Sequence, residues 1–365
     1  HFGKYLKKAK RFAKKILEDE LQIATDNSML KARKIVNYAK NSFKWNGDYD
    51  KYAIKSARDF YKTRVGNAAE INLFVIALMR RAGIDAEPVI LSTRNHGKIN
   101  ANYPFTKFFN YVIILIKGDT PFLTDATESQ LPYNRIPPRC INQSGLLVEE
   151  DQENWVDLQH NIPASELHQV FLSPNPETGK LKYRVTIQAR EYAGYHYRDT
   201  YNNDTAELKS YFEEKIGGVH NVMTVNYKTP GKPYVIVIQG KKELEQLAGN
   251  LILKPFLNLN ITENRLTQPS RRYPVDFLYP RKELFDVSIN IPEGYALNST
   301  TEPLNINDEL VDIELSYSQQ GQLVKANGKY TLKKSVYEPD QYGSLKYFIS
   351  QMVENFNRDL VLVKQ

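Results

Sequence analysis

The one thiol of the 365-residue chain, Cys140, is the first side chain to weigh as a nucleophile. Thiol chemistry needs a base to take the proton, and His160 and His168 are the imidazoles that could serve. A solitary cysteine more often packs as a small hydrophobic residue, and that is the expectation for Pro137-Pro138-Arg139-Cys140. One cysteine allows no internal disulfide framework and no multi-thiolate metal site. His96, in the loop Arg94-Asn95-His96-Gly97, is a candidate ligand-binding residue, set against the commoner solvated loop histidine. No His-Glu-x-x-His spacing and no glycine-rich phosphate loop occurs, so no metal, nucleotide or other cofactor is expected. Tyr192, Tyr195, Tyr197 and Tyr201 could form a stacking platform for sugar rings. Aromatic residues are also ordinary strand formers, and structural packing is the preferred reading.

The elements that would position these residues follow from periodicity. Residues 1 to about 83 read as helical. The first stretch sets Tyr5, Leu6, Ala9, Phe12, Ala13, Ile16 and Leu17 on one face. Its other face holds Lys4, Lys7, Lys8, Lys10, Arg11, Lys14 and Lys15, which account for much of the net charge of +7. Without interleaved base-stacking aromatics this basic face predicts a solvated helix surface and no nucleic-acid partner. A second helix through Ile35, Val36, Tyr38 and Ala39 is expected to stop near Gly47, a third to run from about Ile54 to Tyr61, and a fourth from about Asn67 to Arg81. The fourth has almost no polar face, so it is predicted to be buried on nearly all sides.

β-like runs follow at Glu87 to Ser92, Phe108 to Ile116 and Phe122 to Leu123, and helices before strands predict an α+β domain. Pro137, Pro138, Gly145, Pro163 and the acidic run Glu149-Glu150-Asp151 place a domain boundary near 162. The remainder, 163–365 with a further division near 265, is predicted to be mainly β, with strands at Tyr183 to Gln188, Val219 to Tyr227, Tyr234 to Gln239, Phe285 to Ile291, Val311 to Ser316, Gln322 to Ala326 and Tyr330 to Lys334. A helix is expected at about Thr205 to Lys215. A terminal one carries Leu345, Phe348, Ile349, Met352, Val353 and Phe356, and a closing strand follows at Leu360 to Val363. No stretch is long and apolar enough to cross a membrane as a helix.

Gly66-Asn67-Ala68-Ala69-Glu70, opening the apolar helix and preceded by Trp45, resembles the nucleophile segment of the transglutaminase-like superfamily, where the pattern is Gly-x-Cys. The resemblance continues through Arg80-Arg81-Ala82-Gly83-Ile84-Asp85-Ala86 to Val89, similar to the family's helix end and following strand. It then reaches Phe109-Asn110-Tyr111-Val112, where the family carries its His, and Thr124-Asp125-Ala126-Thr127, where it carries its Asp. The implied fold is a papain/transglutaminase-like N-terminal domain over 1–162. Arg272-Tyr273-Pro274-Val275-Asp276-Phe277 and Ile291-Pro292-Glu293-Gly294-Tyr295 resemble the β-rich domain that follows such a core in bacterial cell-envelope proteins of unknown function. That likeness implies a periplasmic or cell-surface location and an additional upstream domain, which fits the start at His1.

Carried over position by position, the resemblance places Ala68 where the family has its nucleophile, Tyr111 where it has its base and Asp125 where it has the orienting carboxylate. Alanine offers no nucleophile, and a phenol with a reference pKa of about 10 is no base near neutrality. Shifting the register by one residue brings in Asn67, Ala69 or Asn110, none of them a Cys or His. A non-catalytic domain that binds a peptide, protein or glycan, or serves as a scaffold, is therefore expected, with Glu70, His96 and Asn110 as candidate binding residues. Asp125 is expected to cap backbone N–H groups or to bond the Tyr111 hydroxyl. The rival is a hydrolase or acyl transferase that uses substitute residues such as Cys140 or Glu70.

Overall fold

A computed structural model describes residues 2–149, 152–159, 161–298 and 302–365. The chain divides into two compact units, 1–159 and 160–365. In the first unit the helices are α1 (Phe2–Lys15), extended by one π-helical turn at Ile16–Leu21, α2 (Ser28–Ser42), α3 (Ala57–Thr63) and α4 (Ala68–Arg81). A two-residue parallel pair, β1 (Lys44–Trp45) and β2 (Val65–Gly66), ties the end of α2 to the start of α4. The strands β3 (Ala86–Leu91), β4 (Tyr111–Ile116), β5 (Phe122–Thr124), β6 (Ser144–Val148) and β7 (Glu153–Asp157) form an antiparallel sheet in the order β5-β4-β3-β6-β7.

Every residue of α4 from Ala68 to Met79 is buried, as its all-round apolar sequence requires. Helices α1, α2 and α3 and strands β3 and β4 all pack against it. α1 buries Tyr5, Ala9 and Ala13 and leaves its lysines in solvent. α2 ends earlier than expected, because Phe43 turns extended (φ −108°, ψ 141°) to enter β1; Gly47, with φ +93°, belongs to the turn beyond. α3 starts at Ala57 because the Ser56 side chain accepts from the Asp59 N–H.

The second unit is built on β8 (Ala164–Asn175), β9 (Lys180–Arg190), β10 (Val219–Val225), β11 (Tyr234–Glu243), β12 (Glu245–Leu247), β13 (Asn250–Leu253), β14 (Val275–Asp276), β15 (Arg281–Asn290), β16 (Tyr295–Leu297), β17 (Leu304–Asn307), β18 (Val311–Gln320), β19 (Leu323–Leu332), β20 (Val336–Tyr337) and β21 (Leu360–Lys364). Eight of them make one sheet, β10-β11-β9-β8-β15-β19-β18-β17, in which only β8 and β15 run parallel. Strands from before and after residue 265 share this sheet. A smaller sheet has the order β12-β13-β21-β16, so the closing strand pairs as expected, and β14 pairs with β20. The helices are α5 (Glu191–Tyr201), α6 (Thr205–Ile216) and α7 (Tyr342–Phe356). On α7, Leu345, Ile349, Met352 and Phe356 are buried in the core, with Phe348 and Val353 packed at its margin.

Tyr192, Tyr195, Tyr197 and Tyr201 lie on α5, an element the sequence reading did not assign; Tyr192 and Tyr197 are buried, stacked on Tyr279 and Tyr234, in keeping with the preferred reading of structural packing. Gly194 lets α5 fold back onto the end of β9, since a Cβ there would lie 2.8 Å from the Ala189 carbonyl oxygen. The two short strands expected between 322 and 334 are one, β19.

Candidate functional site

The start of α4 is fixed by a capping box. The Asn67 side chain accepts from the Glu70 N–H at 2.8 Å, and the Glu70 carboxylate accepts from the Asn67 N–H at 3.0 Å. The other Glu70 oxygen accepts from the N–H groups of Ile54 and Lys55. Glu70 is buried with both oxygens engaged, so it holds the entry loop to the helix. Gly66 permits this, because a Cβ would come within 2.6 Å of the Glu70 carboxylate and 2.8 Å of the Phe60 ring. Ala68, the first residue of the helix, is buried, and its N–H reaches the Asp48 carbonyl oxygen, which also accepts from the Trp45 indole N–H.

One turn along, Asn72 shares a helix face with Ala68. Its amide nitrogen donates to the Val112 carbonyl and to Asp125 Oδ2, both at 2.9 Å, and its oxygen accepts from the Ala126 N–H. The second Asp125 oxygen accepts from the N–H and the hydroxyl of Thr127. Tyr111, the first residue of β4 and fully buried, reaches the Thr127 hydroxyl at 2.9 Å. Thr127 thus stands between Tyr111 and Asp125, and the direct bond expected from Tyr111 to Asp125 is replaced by this relay. The expectation that Asp125 caps backbone N–H groups holds for the Thr127 N–H.

Arg139 closes the cluster. Its guanidinium donates to Thr127 Oγ1 at 2.8 Å and to the Tyr111 hydroxyl at 3.3 Å, and pairs with Glu128 at 3.3 Å. It also lies 4.4 Å from the centre of the Trp45 ring, which stacks on Tyr49, and Tyr49 meets Tyr111 edge-on. Lys40, buried on α2, donates to the Leu131 and Pro132 carbonyls. Burial lowers its pKa to about 8, opposed by Asp125 and Glu128. Burial and then the Asp125 charge push both the Tyr111 phenol and the Cys140 thiol well above their usual ranges.

Cys140 is buried in the 3₁₀ turn Pro138–Cys140, beside this network. Of its two candidate bases, His160 lies outside the described residues and His168 is buried in the second unit's sheet. Asn110 is tied to Thr93 by two bonds of 2.8 Å, locking the ends of β3 and β4 together. His96 is exposed in its loop, with Nε2 3.3 Å from the Lys107 carbonyl oxygen. Among the described residues no three His, Cys, Asp or Glu side chains are spaced to hold a metal ion, and no helix is long and apolar enough to cross a membrane.

Asn72, Thr127, Glu128, Arg139 and Lys40 were not singled out from the sequence. Asn72 had a signal: it is the lone amide within an apolar run, and a buried amide must find partners. Thr127 lies in a loop and Arg139 in a single 3₁₀ turn, where no period marks them.

Residues 14–118 match the family model of the transglutaminase-like superfamily, which spans Ala68 and Tyr111 and ends before Asp125. Residues 249–362 match that of DUF3858, a domain of unknown function with solved structure. No curated protein matches the sequence. Among solved structures, a protein described as a "putative protease" from Parabacteroides distasonis ATCC 8503 superposes with a TM-score of 0.53 at 12% identity, covering 99% of this chain and 57% of that one. The likeness is one of fold, and the present chain spans little more than half of that neighbour.

Proposed function

We propose that the first unit is a non-catalytic transglutaminase-like module of a bacterial cell-envelope protein that binds a peptide or glycan chain. The observation that carries this reading is the closed hydrogen-bond network that engages Tyr111 and Asp125. Ala68 supplies no nucleophile, Tyr111 spends its hydroxyl on Thr127 and Arg139, and Asp125 is saturated by Asn72 and Thr127. No side chain there is poised to take a proton from a substrate or water. Binding falls to the stacked pair Trp45 and Tyr49, whose outer ring, Tyr49, reaches solvent. The envelope setting rests on the resemblance of both halves to such proteins.

The test is an assay of the unaltered protein on peptide, amide and ester substrates, with peptide and glycan arrays read in parallel for wild type and Tyr49→Ala. No turnover, with array binding that Tyr49→Ala weakens, supports the reading; turnover by the unaltered protein, whether or not it survives thiol blocking, overturns it. The rival hydrolase reading that uses Cys140 requires a fast-reacting thiol, and the non-catalytic reading a slow one. A thiol raised by burial loses about tenfold of its thiolate for each pKa unit. Labelling of Cys140 is therefore expected to be at least about tenfold slower in the folded protein than in urea, as a timed thiol-probe assay would measure.

A further inference from the structure

The core face of the second unit's sheet is apolar except at the start of its one parallel pair. There Glu166 of β8 stands directly opposite Glu283 of β15, and the next inward residues, His168 and Phe285, are also paired and stacked. The His168 side chain is 3% exposed, and neither ring nitrogen has a hydrogen-bond partner. Its Nε2 lies 3.5 Å from Glu166 and 3.7 Å from Glu283. Tyr197 of α5 donates to Glu166 at 3.3 Å, and Tyr330 of β19 donates to Glu283 at 2.6 Å. The other charged and titratable groups facing the cluster are Lys215 and Tyr211 of α6, Arg281 at the head of β15, and Tyr279. Neither Lys215 nor Arg281 forms an ion pair with either carboxylate. Two carboxylates side by side at the edge of a core, without a paired cation, do not both stay ionised near neutrality.

We propose that Glu166, Glu283 and His168 form a proton-operated clasp between the two parallel strands: the carboxyls hold one proton between them and the imidazole none, and losing that proton sets two like charges side by side at the strand ends.

Burial, then the Glu283 charge, raises Glu166 to about 7, and burial raises Glu283 as well. Burial, then Lys215, lowers His168 to about 3. A raised acid contributes stability that is full below its unfolded value of about 4.3 and is lost as pH climbs through the folded value. A lowered histidine contributes stability present above its unfolded value of about 6.5 and lost as pH falls through the folded one. Between these unfolded values the two slopes oppose each other. The proton that the unfolded chain carries on an imidazole sits, in the folded chain, on a carboxyl. The clasp is therefore blind to mild acid and responds as pH rises through neutrality.

Infrared difference spectra of the full chain test this without any variant. A protonated-carboxyl C=O band should be present at pH 6 and vanish with a midpoint near 7, and should titrate at lower pH in both Glu166→Gln and Glu283→Gln. Thermal melts supply the second readout. Gln mimics the protonated acid, so the melting temperature of Glu166→Gln relative to wild type should rise by roughly 3–6 °C from pH 5 to 8, whereas His168→Asn should lose stability from pH 5 to about 7 and then level off. A band already gone at pH 5.5, or a Glu166→Gln difference independent of pH, overturns the proposal. So does a wild-type melting temperature raised by zinc and restored by chelator, which would assign the three side chains to a metal.

Discussion

An amide buried in a helix that is otherwise apolar from end to end must be paid in hydrogen bonds, and Asn72 receives three, each linking α4 to the strand or loop that carries an expected site residue. Asn72→Ala would strand the Ala126 N–H and the Val112 carbonyl and leave Asp125 short of a donor. The expected loss is roughly 2–4 kcal/mol, measured as a lower urea midpoint at unchanged slope; a loss under about 0.5 kcal/mol would remove Asn72 from this role. Of the residues in this network, Tyr111 and Asp125 were marked in the sequence by the family resemblance. Thr127 and Arg139 were not, because those residues act through geometry that no periodicity encodes. A phenol also carries its polar atom farther from the backbone than an imidazole does, which accounts for Tyr111 meeting Thr127 where a bond to Asp125 was expected.

Elements are set by what must pass close to what. β19 was expected as two short strands, Gln322 to Ala326 and Tyr330 to Lys334, yet it runs unbroken from Leu323 to Leu332 between β15 and β18. Gly328 lies inside the strand because the Phe356 ring of α7 rests on it: a Cβ would sit 2.6 Å from that ring and 3.4 Å from Phe256. Gly328→Ala should therefore cost roughly 1–3 kcal/mol through overpacking, with α7 displaced in hydrogen-exchange maps, whereas a neutral outcome would mean that Phe356 yields freely. Elements with a long apolar period, α4 and α7, were readable for the same reason that they are buried. Those fixed by a single contact, such as α5 folding back over β9 at Gly194, were not, since local residue types there favour a strand. The small strands β6, β7 and β16 were missed because they are short and only partly buried; β17 and the long β8 were missed as well.

Across the molecule, the excess positive charge lies on the solvated face of α1, while the ionisable groups that bear on stability are inside. In the first unit, burial raises Tyr5, Tyr111 and Cys140; in the second it raises Tyr197 and Tyr330, and brings Tyr337 up to about 12. Each is an acid that the folded chain keeps protonated beyond the point where the unfolded chain lets go. Its stabilising contribution is therefore whole below the unfolded value, about 8.5 for a thiol and about 10 for a phenol, and is lost as pH rises above it, by about 1.4 kcal/mol per pH unit per group. Lys40 acts in the opposite sense between about 8 and its unfolded value near 10.4, since the folded chain gives up that proton first. Lys40 and Cys140 thus offset one another at moderately alkaline pH in the first unit. Beyond about pH 10.5 Lys40 no longer opposes the acids, and with several in each unit the loss reaches the scale of a domain's whole stability within about two pH units. Both units are expected to unfold cooperatively between about pH 10 and 12, with tyrosinate absorbance appearing late, steeply and together with the loss of far-ultraviolet circular dichroism. Gradual titration of all tyrosines about pH 10 in a chain that keeps its native dichroism would show that these phenols are open to solvent.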